Sequence, residues 1–329
     1  MEIISIFVMH DKAFIMQDNF TKSFQKPIFL DHDGSIDDYV ALITLLTLDK
    51  YRLTGISVCQ GVGDEETSFE LTLGILDFFC RYDVEVARGC YEALNSLLET
   101  RNEKSTSVKQ IDGLATKKVN GFKISKEDPA DFMARKIMEQ EEKSIVVLAC
   151  SAMNFSNMLK RYPAITEKID KVLWVAGAFL ADGNVVAPDH DGSAEWNIFL
   201  NPAAASDLLA AEIPVILFPL DAGSLLPVDN YFMYHLGKNA QKRLSKLVYQ
   251  LIEPDYNQKK PLYLNSILPA VYLAIPGIFE LESKSIKIEQ RGTSMGNIYK
   301  TSLGQRIKHV IRIDEEEYYE FLIEQFKQF

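Results

Sequence analysis

Residues 27–46 read PIFLDHDGSIDDYVALITLL, and this stretch decides the fold. The apolar run from Pro27 to Leu30 has the length of a buried strand and ends at Asp31. Gly34 and Ser35 permit a tight turn, and DDYVALITLLTLDK then spaces apolar residues to cover one face of a helix. Working outward, the same pattern returns. RLTGISVC (52–59) reads as a strand before a helix over 66–81, and DVEVARG as a further short strand. KSIVVLAC (143–150), KVLWVAGA (171–178) and IPVILFPLD (213–221) are each a β-rich run followed by a turn. This alternation predicts an α/β fold, a mainly parallel open sheet with helices on both faces and a Rossmann-like core. Ligands of such sheets bind beyond the carboxyl ends of the strands.

The remaining segments fill in that frame. Helical patterns over 229–253 and 264–273 precede two strands, SIKIEQ and HVIRID, and EEEYYEFLIEQF after Asp314 reads as a capped terminal helix. Residues 91–129 are polar and aperiodic, an excursion over a site or a surface loop. Residues 1–26 read as an N-terminal extension and 27–329 as a single domain. The tetrapeptide DHDG occurs at 31–34 and again at 189–192, a repetition that chance explains.

Composition narrows the functional classes. The 329 residues are 47% hydrophobic and 25% charged, as in a well-packed globule. Thirty-five basic against 46 acidic residues give a net charge of −11, without a Lys/Arg block to track a phosphate backbone, so nucleic acid is not an expected partner. No run approaches the roughly 20 apolar residues that cross a bilayer, and the N-terminus lacks a basic region and cleavage site, so a membrane is not expected either. Cys59, Cys80, Cys90 and Cys150 form no CxxC pair and read as buried thiols of a cytoplasmic protein.

Chemistry concentrates at the first strand-to-helix turn. Asp31, Asp33, Asp37 and Asp38 are four carboxylates within eight residues, which repel one another unless a positive charge lies among them. A helix N-terminus relieves about 0.3–1 kcal/mol for each well-placed acid and cannot serve all four. A divalent cation is the economical remedy, and all-oxygen ligands favour Ca²⁺ or Mg²⁺ over zinc. Capping explains Asp31 at least as well as ligation, whereas Asp33 and Asp38 together favour the metal. Downstream, EWN at 195–197 sets a carboxylate, an indole and an amide after a Gly- and Asp-rich loop, a composition suited to a polyhydroxylated ligand. Trp196 taken alone serves core packing equally well.

DHDGSIDD (31–38) and DGNVVAPDHDGSAEWNIFLNP (182–202) together resemble the signature blocks of the nucleoside hydrolases, in particular the purine-preferring inosine-adenosine-guanosine branch. The resemblance covers residues 28–273 and, more loosely, the remainder. It implies a nucleoside hydrolase-like fold, Ca²⁺ as cofactor, a nucleoside as small-molecule partner and a homodimer or homotetramer. It further implies Asp33 as metal-bound general base and Asp38 as bidentate calcium ligand. Asp37, Asn184, Glu195 and Asn197 would hold the ribose, with Trp196 near the sugar. The family closes its calcium site with a late aspartate and a backbone carbonyl. Here the late segment KKPLYLNSILPAVYLAIP contains no aspartate; Asn265 is the nearest match, with Ser266 as the alternative, and Ala152 falls at the carbonyl position. Leu264 replaces a base-stacking aromatic, the second such aromatic belongs to the segment after Arg88, and no histidine in the late segment serves as leaving-group acid. Two rival readings stand beside hydrolysis. One is a binder that keeps the ribose grip without turnover; the other is a phosphatase with Asp31 as nucleophile and Asp33 as acid, in which EWN has no role.

Overall fold

The computed structural model describes residues 25–59, 65–89, 114, 121–258 and 260–328. One sheet runs through it: β1 (Lys26–His32), β2 (Tyr51–Val58), β3 (Glu85–Arg88), β4 (Lys123–Ser125), β5 (Ser144–Ala149), β6 (Ile169–Val175), β7 (Val215–Phe218), β8 (Phe279–Ile288), β9 (Ile298–Lys300) and β10 (Gln305–Ile313). Their order is 4-3-2-1-5-6-7-10-8-9. Every neighbouring pairing is parallel except β10 with β8 and β8 with β9, so the sheet is mainly parallel with an antiparallel margin.

Alternation along the central strands builds both cores. Ile28, Leu30, Ile145, Val147, Leu173 and Ile216 face one layer, while Phe29, Val146, Leu148, Trp174 and Leu217 face the other. Strands covered on both faces must be apolar at nearly every position, which is why they read as continuous hydrophobic runs. The first layer includes helices α1 (Ile36–Leu46) and α2 (Glu65–Phe78), and the second includes α3 (Pro129–Met138) and α4 (Met153–Arg161). Further along lie α5 (Trp196–Leu200), α6 (Pro202–Ala210), α7 (Leu220–Gly223), α8 (Asn230–Lys238), α9 (Arg243–Tyr256), α10 (Leu268–Ala274) and α11 (Glu315–Phe326). None of the helices among the described residues is long and apolar enough to cross a membrane.

The winding fixes where a ligand can enter. From β1 the chain builds outward through β2, β3 and β4, then returns to the other side of β1 with β5, β6 and β7. The reversal falls between β1 and β5, and at such a switch point the connections leave in opposite directions and open a crevice at the carboxyl ends. His32 is in register with Ala149 there, so Asp33 begins at the mouth of that crevice.

Two local features differ from the sequence expectation. The helix expected over 264–273 is split into a 3₁₀ turn, Asn265–Ile267, and α10, where Pro269 is compatible only with a first helical turn. β4 lies within the stretch read as aperiodic, and its three residues are too short to show periodicity. The two DHDG segments agree at the glycine, since Gly34 and Gly192 both have φ of +81° and each donates its N–H to Nδ1 of the histidine two residues earlier, but they differ before it: Asp31 and His32 end β1, whereas Asp189 has φ of +62°.

Candidate active site

The carboxyl ends of β5, β6 and β7 and the tip of β1 enclose a cleft of about 210 Å³. Seven of the expected residues line it: Asp33, Asp37, Asn184, Glu195, Trp196, Asn197 and Asn265. Asp38 lies one residue further into α1 and is buried. Ala152 is buried at the N-terminus of α4 with its carbonyl accepting the Ser156 N–H, and the β5 residue that reaches the cleft is Ala149.

The turn after β1 is built around one carboxylate oxygen. Asp38 Oδ2 accepts the backbone N–H groups of Asp33, Gly34 and Ser35 at 3.1, 2.9 and 3.1 Å. A side chain at position 34 would place its Cβ 2.3 Å from Ser68 Oγ and would have to adopt φ of +81°, so only glycine fits. Burial opposes ionisation of Asp38, but hydrogen bonding and charge from His32, with Ser266 and Asp33 behind them, hold its carboxyl below the ordinary range. Its other oxygen, Oδ1, is buried and has no hydrogen-bond partner among the described residues. Asp38 thus caps the turn with one oxygen and leaves the other over.

Asp37 behaves oppositely. Burial, and then the charge of Asp38, push its carboxyl up, although Ser35 Oγ donates to Oδ1 at 2.5 Å and the Ser266 N–H to Oδ2 at 2.9 Å. The Ser266 contact is the long-range link between the first turn and the late segment, 229 residues apart. In that segment Asn265 Oδ1 is a second buried acceptor without a hydrogen-bond partner among the described residues. It rests against Gly223, where an added Cβ would lie 1.7 Å away. Tyr263, not position 264, lines the cleft; Leu264 is buried in the core. Tyr263 forms an isolated antiparallel bridge with Pro227, after which the chain turns at Leu264 into the 3₁₀ turn that begins at Asn265, so that Tyr263 and Asn265 line the cleft while Leu264 is buried.

The EWN block forms the opposite wall. Glu195 caps α5, accepting the Asn197 N–H on Oε1 and those of Gly177 and Ile198 on Oε2. Asn197 donates Nδ2 to the Val175 carbonyl, and Asn184 accepts the Trp196 N–H on Oδ1. Each amide therefore keeps its other end for a ligand. Asp221, which sequence reasoning did not single out, accepts three backbone N–H groups, from Phe179, Leu180 and Ala181, at 2.6 to 3.0 Å. It tethers the start of the loop that carries Asn184, a role visible only after the fold brings α7 beside that loop.

Asp31 is turned away from the cleft into the layer of α4. It accepts from Ser57 Oγ at 2.6 Å, from Asn154 Nδ2 on both oxygens at 3.1 Å and from Cys59 Sγ at 3.2 Å. Burial raises its carboxyl despite these donors. Fully buried and committed, it does not present the open oxygen that a phosphatase nucleophile requires. The second stacking aromatic expected after Arg88 lies outside the described residues.

Comparison with known proteins gives the class. The model of the inosine-uridine preferring nucleoside hydrolase family matches residues 28–320. A solved inosine-uridine preferring nucleoside hydrolase from Bacillus anthracis superposes with a TM-score of 0.86 at 24% identity, covering 93% of this chain and all of that one. A purine-preferring ribonucleoside hydrolase from Gardnerella vaginalis superposes at 0.75 and 19% identity over 92% and 98%. The pyrimidine-specific ribonucleoside hydrolase RihA of Klebsiella pneumoniae is 26% identical over 68% of this chain and 70% of its own. An uncharacterized protein of Schizosaccharomyces pombe is 23% identical over 90% and 97%. The chain belongs to the inosine-uridine preferring nucleoside hydrolase family. It is accordingly a hydrolase of N-glycosidic bonds, in a metal-dependent family that acts on small ribonucleosides.

Proposed function

We propose that this chain is a calcium-dependent ribonucleoside hydrolase with a purine preference, formed by residues 27–329 after an N-terminal extension. The observation that carries the reading is a pair of buried oxygens without hydrogen-bond partners among the described residues: Asn265 Oδ1, whose residue lines the cleft with Asp33 and the ribose-type amides, and Asp38 Oδ1, buried behind the turn that carries Asp33. Buried acceptors without donors are costly, and a hard cation is the partner that all-oxygen ligands favour. Asp33, Asp38 and Asn265 would hold it; the Ala152 carbonyl, engaged by Ser156, would be the last donor to join.

A bound Ca²⁺ would supply the positive charge that acidifies a water at the mouth of the crevice. Asp33 accepts the proton of the attacking water as general base. The glycosidic carbon gains oxocarbenium character as its bond to the base breaks. Asp37, Asn184, Glu195 and Asn197 align the ribose hydroxyls, with Trp196 beside the sugar, so that binding energy is spent on orientation. The aromatic side that Tyr263 lends the cleft suits a nucleobase. The purine preference rests on DHDGSIDD and DGSAEWN, and the ratio of kcat/KM for inosine to that for uridine decides it.

The test is release of reducing sugar by purified protein from inosine, guanosine, adenosine and uridine, with Ca²⁺ and with chelator. Turnover that chelator and Asp33→Ala both abolish supports the proposal. Replacement of the late aspartate by Asn265 favours one second reading, a protein that binds nucleosides without turnover. Calorimetric binding that is insensitive to chelator and accompanied by no hydrolysis would establish that reading instead.

A further inference from the structure

We infer that Asp31, Cys59 and Cys150 form a second cation site, buried beneath the tip of β1 and suited to a soft divalent ion of the zinc and cadmium class. One ligand atom from each residue lies within 4.8 Å of the other two. The two sulfurs are 3.8 Å apart. Two thiolates in a tetrahedral zinc site, with bonds of about 2.3 Å, stand about 3.8 Å apart, so the thiols already occupy one edge of that tetrahedron. Cys59 Sγ is 3.2 Å from Asp31 Oδ1, a few tenths short of the corresponding sulfur-to-oxygen edge of about 3.6 Å.

The three residues come from the ends of three adjacent strands, β2, β1 and β5, and their backbones are fixed independently of any ion. The Cys59 N–H donates to the His32 carbonyl at 2.7 Å, and Trp174 Nε1 donates to the Cys150 carbonyl at 3.0 Å. An outer layer of donors is also in place: Asn154 Nδ2 points at both Asp31 oxygens and at Cys59 Sγ, and Ser57 Oγ at Asp31 Oδ1. These donors offset part of the burial that pushes the Asp31 carboxyl up; burial also raises the Cys150 thiol, and with the Cys59 thiol at about 12 the ion itself must displace the thiol protons. The sulfurs separate this site chemically from the oxygen-lined cleft above, because Ca²⁺ avoids thiolates and Zn²⁺ or Cd²⁺ seek them. On binding, two S–H bonds break, two metal–sulfur bonds form and two protons leave to solvent; Asp31 contributes one oxygen and water takes the fourth place. Cys59, at 8% exposure the most open of the three, offers the way in.

The experiment is a Cd²⁺ titration of the full chain in Ca²⁺-containing buffer, with Cys80 and Cys90 replaced by serine so that only the buried thiols remain. The readouts are the ultraviolet thiolate-to-cadmium charge-transfer band and proton release. The expected result is a band that saturates at one Cd²⁺ per chain with two protons released. Cys59→Ser or Cys150→Ser is expected to remove at least half of the band and to weaken binding tenfold or more. A cadmium NMR resonance of the same chain with Cys59 and Cys150 intact needs no substitution at the site, and its shift counts sulfur ligands. No band at one equivalent, a band unchanged by Cys59→Ser, or an all-oxygen cadmium shift overturns the inference. None of these readings depends on turnover, so they stand apart from the hydrolase proposal.

Discussion

Replacing Asp38 by Asn separates the two tasks assigned to one carboxylate. Oδ2 accepts three backbone N–H groups, and an amide oxygen can still accept them, but as a neutral group. Hydrogen bonds to a charged acceptor contribute about 1.5–3 kcal/mol against about 0.5–1.5 for neutral ones, so three of them lose about 3 kcal/mol. Relief from burying the charge returns part of this, leaving a metal-free destabilisation of about 1–2 kcal/mol. At about 2.1 cal/mol/K per residue, a chain of this length shifts its Tm by roughly 1–2 °C per kcal/mol, so the variant melts about 2–3 °C lower in chelator. The second task belongs to Oδ1. At a Ca²⁺ concentration a hundred times Kd the wild type gains about 2.7 kcal/mol, or roughly 4 °C, and the variant forfeits it. The gap between the two proteins should therefore widen from about 2–3 °C in chelator to about 6–7 °C in Ca²⁺ by differential scanning calorimetry. An equal calcium-induced rise in both proteins refutes the assignment of Oδ1 to a cation.

Further predictions follow from neighbouring contacts. Gly223→Ala drives a Cβ to 1.7 Å from Asn265 Oδ1, so the amide must swing aside; the fold should persist while Ca²⁺ affinity, read by calorimetry, falls tenfold or more. Asn265→Asp, by adding a charge, should raise that affinity roughly tenfold, about 1.4 kcal/mol, and a weaker or unchanged site would remove Asn265 from the ligand set. For Asp37 the sign is that of an acid whose folded pKa lies above its unfolded value. It costs stability as pH rises from about 4 through the folded pKa. Urea denaturation in chelator should therefore show Asp37→Asn gaining on the wild type over that range, and parallel curves would contradict the raised pKa. Asp221→Ala frees three N–H groups at the start of the Asn184 loop and should raise KM for a nucleoside roughly tenfold with little change in kcat.

Much of the fold was legible because burial on both faces leaves an unmistakable run in each central strand, as in PIFL and KVLWVAGA. The first turn was legible for the same reason, since a strand ending in acids before a helix leaves those acids nowhere but the carboxyl edge. What could not be read depended on contacts between distant segments. The meeting of Ser266 with Asp37 spans 229 residues, and that of Cys59 with Cys150 spans 91, so neither leaves a local spacing. Tyr263 was not read as the cleft aromatic because the resemblance placed that aromatic immediately before Asn265, where Leu264 stands, whereas in the structure Tyr263 lines the cleft and Leu264 is buried in the core. That Asp38 both caps and offers an oxygen was equally hidden, since a sequence does not say which oxygen of a carboxylate is engaged.

The charge count of the cleft bears on whether an asparagine at 265 disables it. Burial, and then the charge of Asp38, push the Asp37 carboxyl up, whereas His32 holds that of Asp38 down despite its burial, so of the two Asp38 is the better disposed to face a cation as a carboxylate. In the proposed ligand set, Asp33 and Asp38 as carboxylates would balance a divalent ion, the condition under which buried charges cost least. A third carboxylate at 265 would bind Ca²⁺ more firmly but would leave a surplus negative charge, and an electrostatically strained apo site, whenever the ion departs. Asn265 keeps an oxygen in the same place without that surplus, its Oδ1 seated against Gly223. On the proposed ligand set an asparagine at 265 would weaken the site by one charge while keeping an oxygen in place, and the expected consequence is a looser calcium requirement, not a lost one.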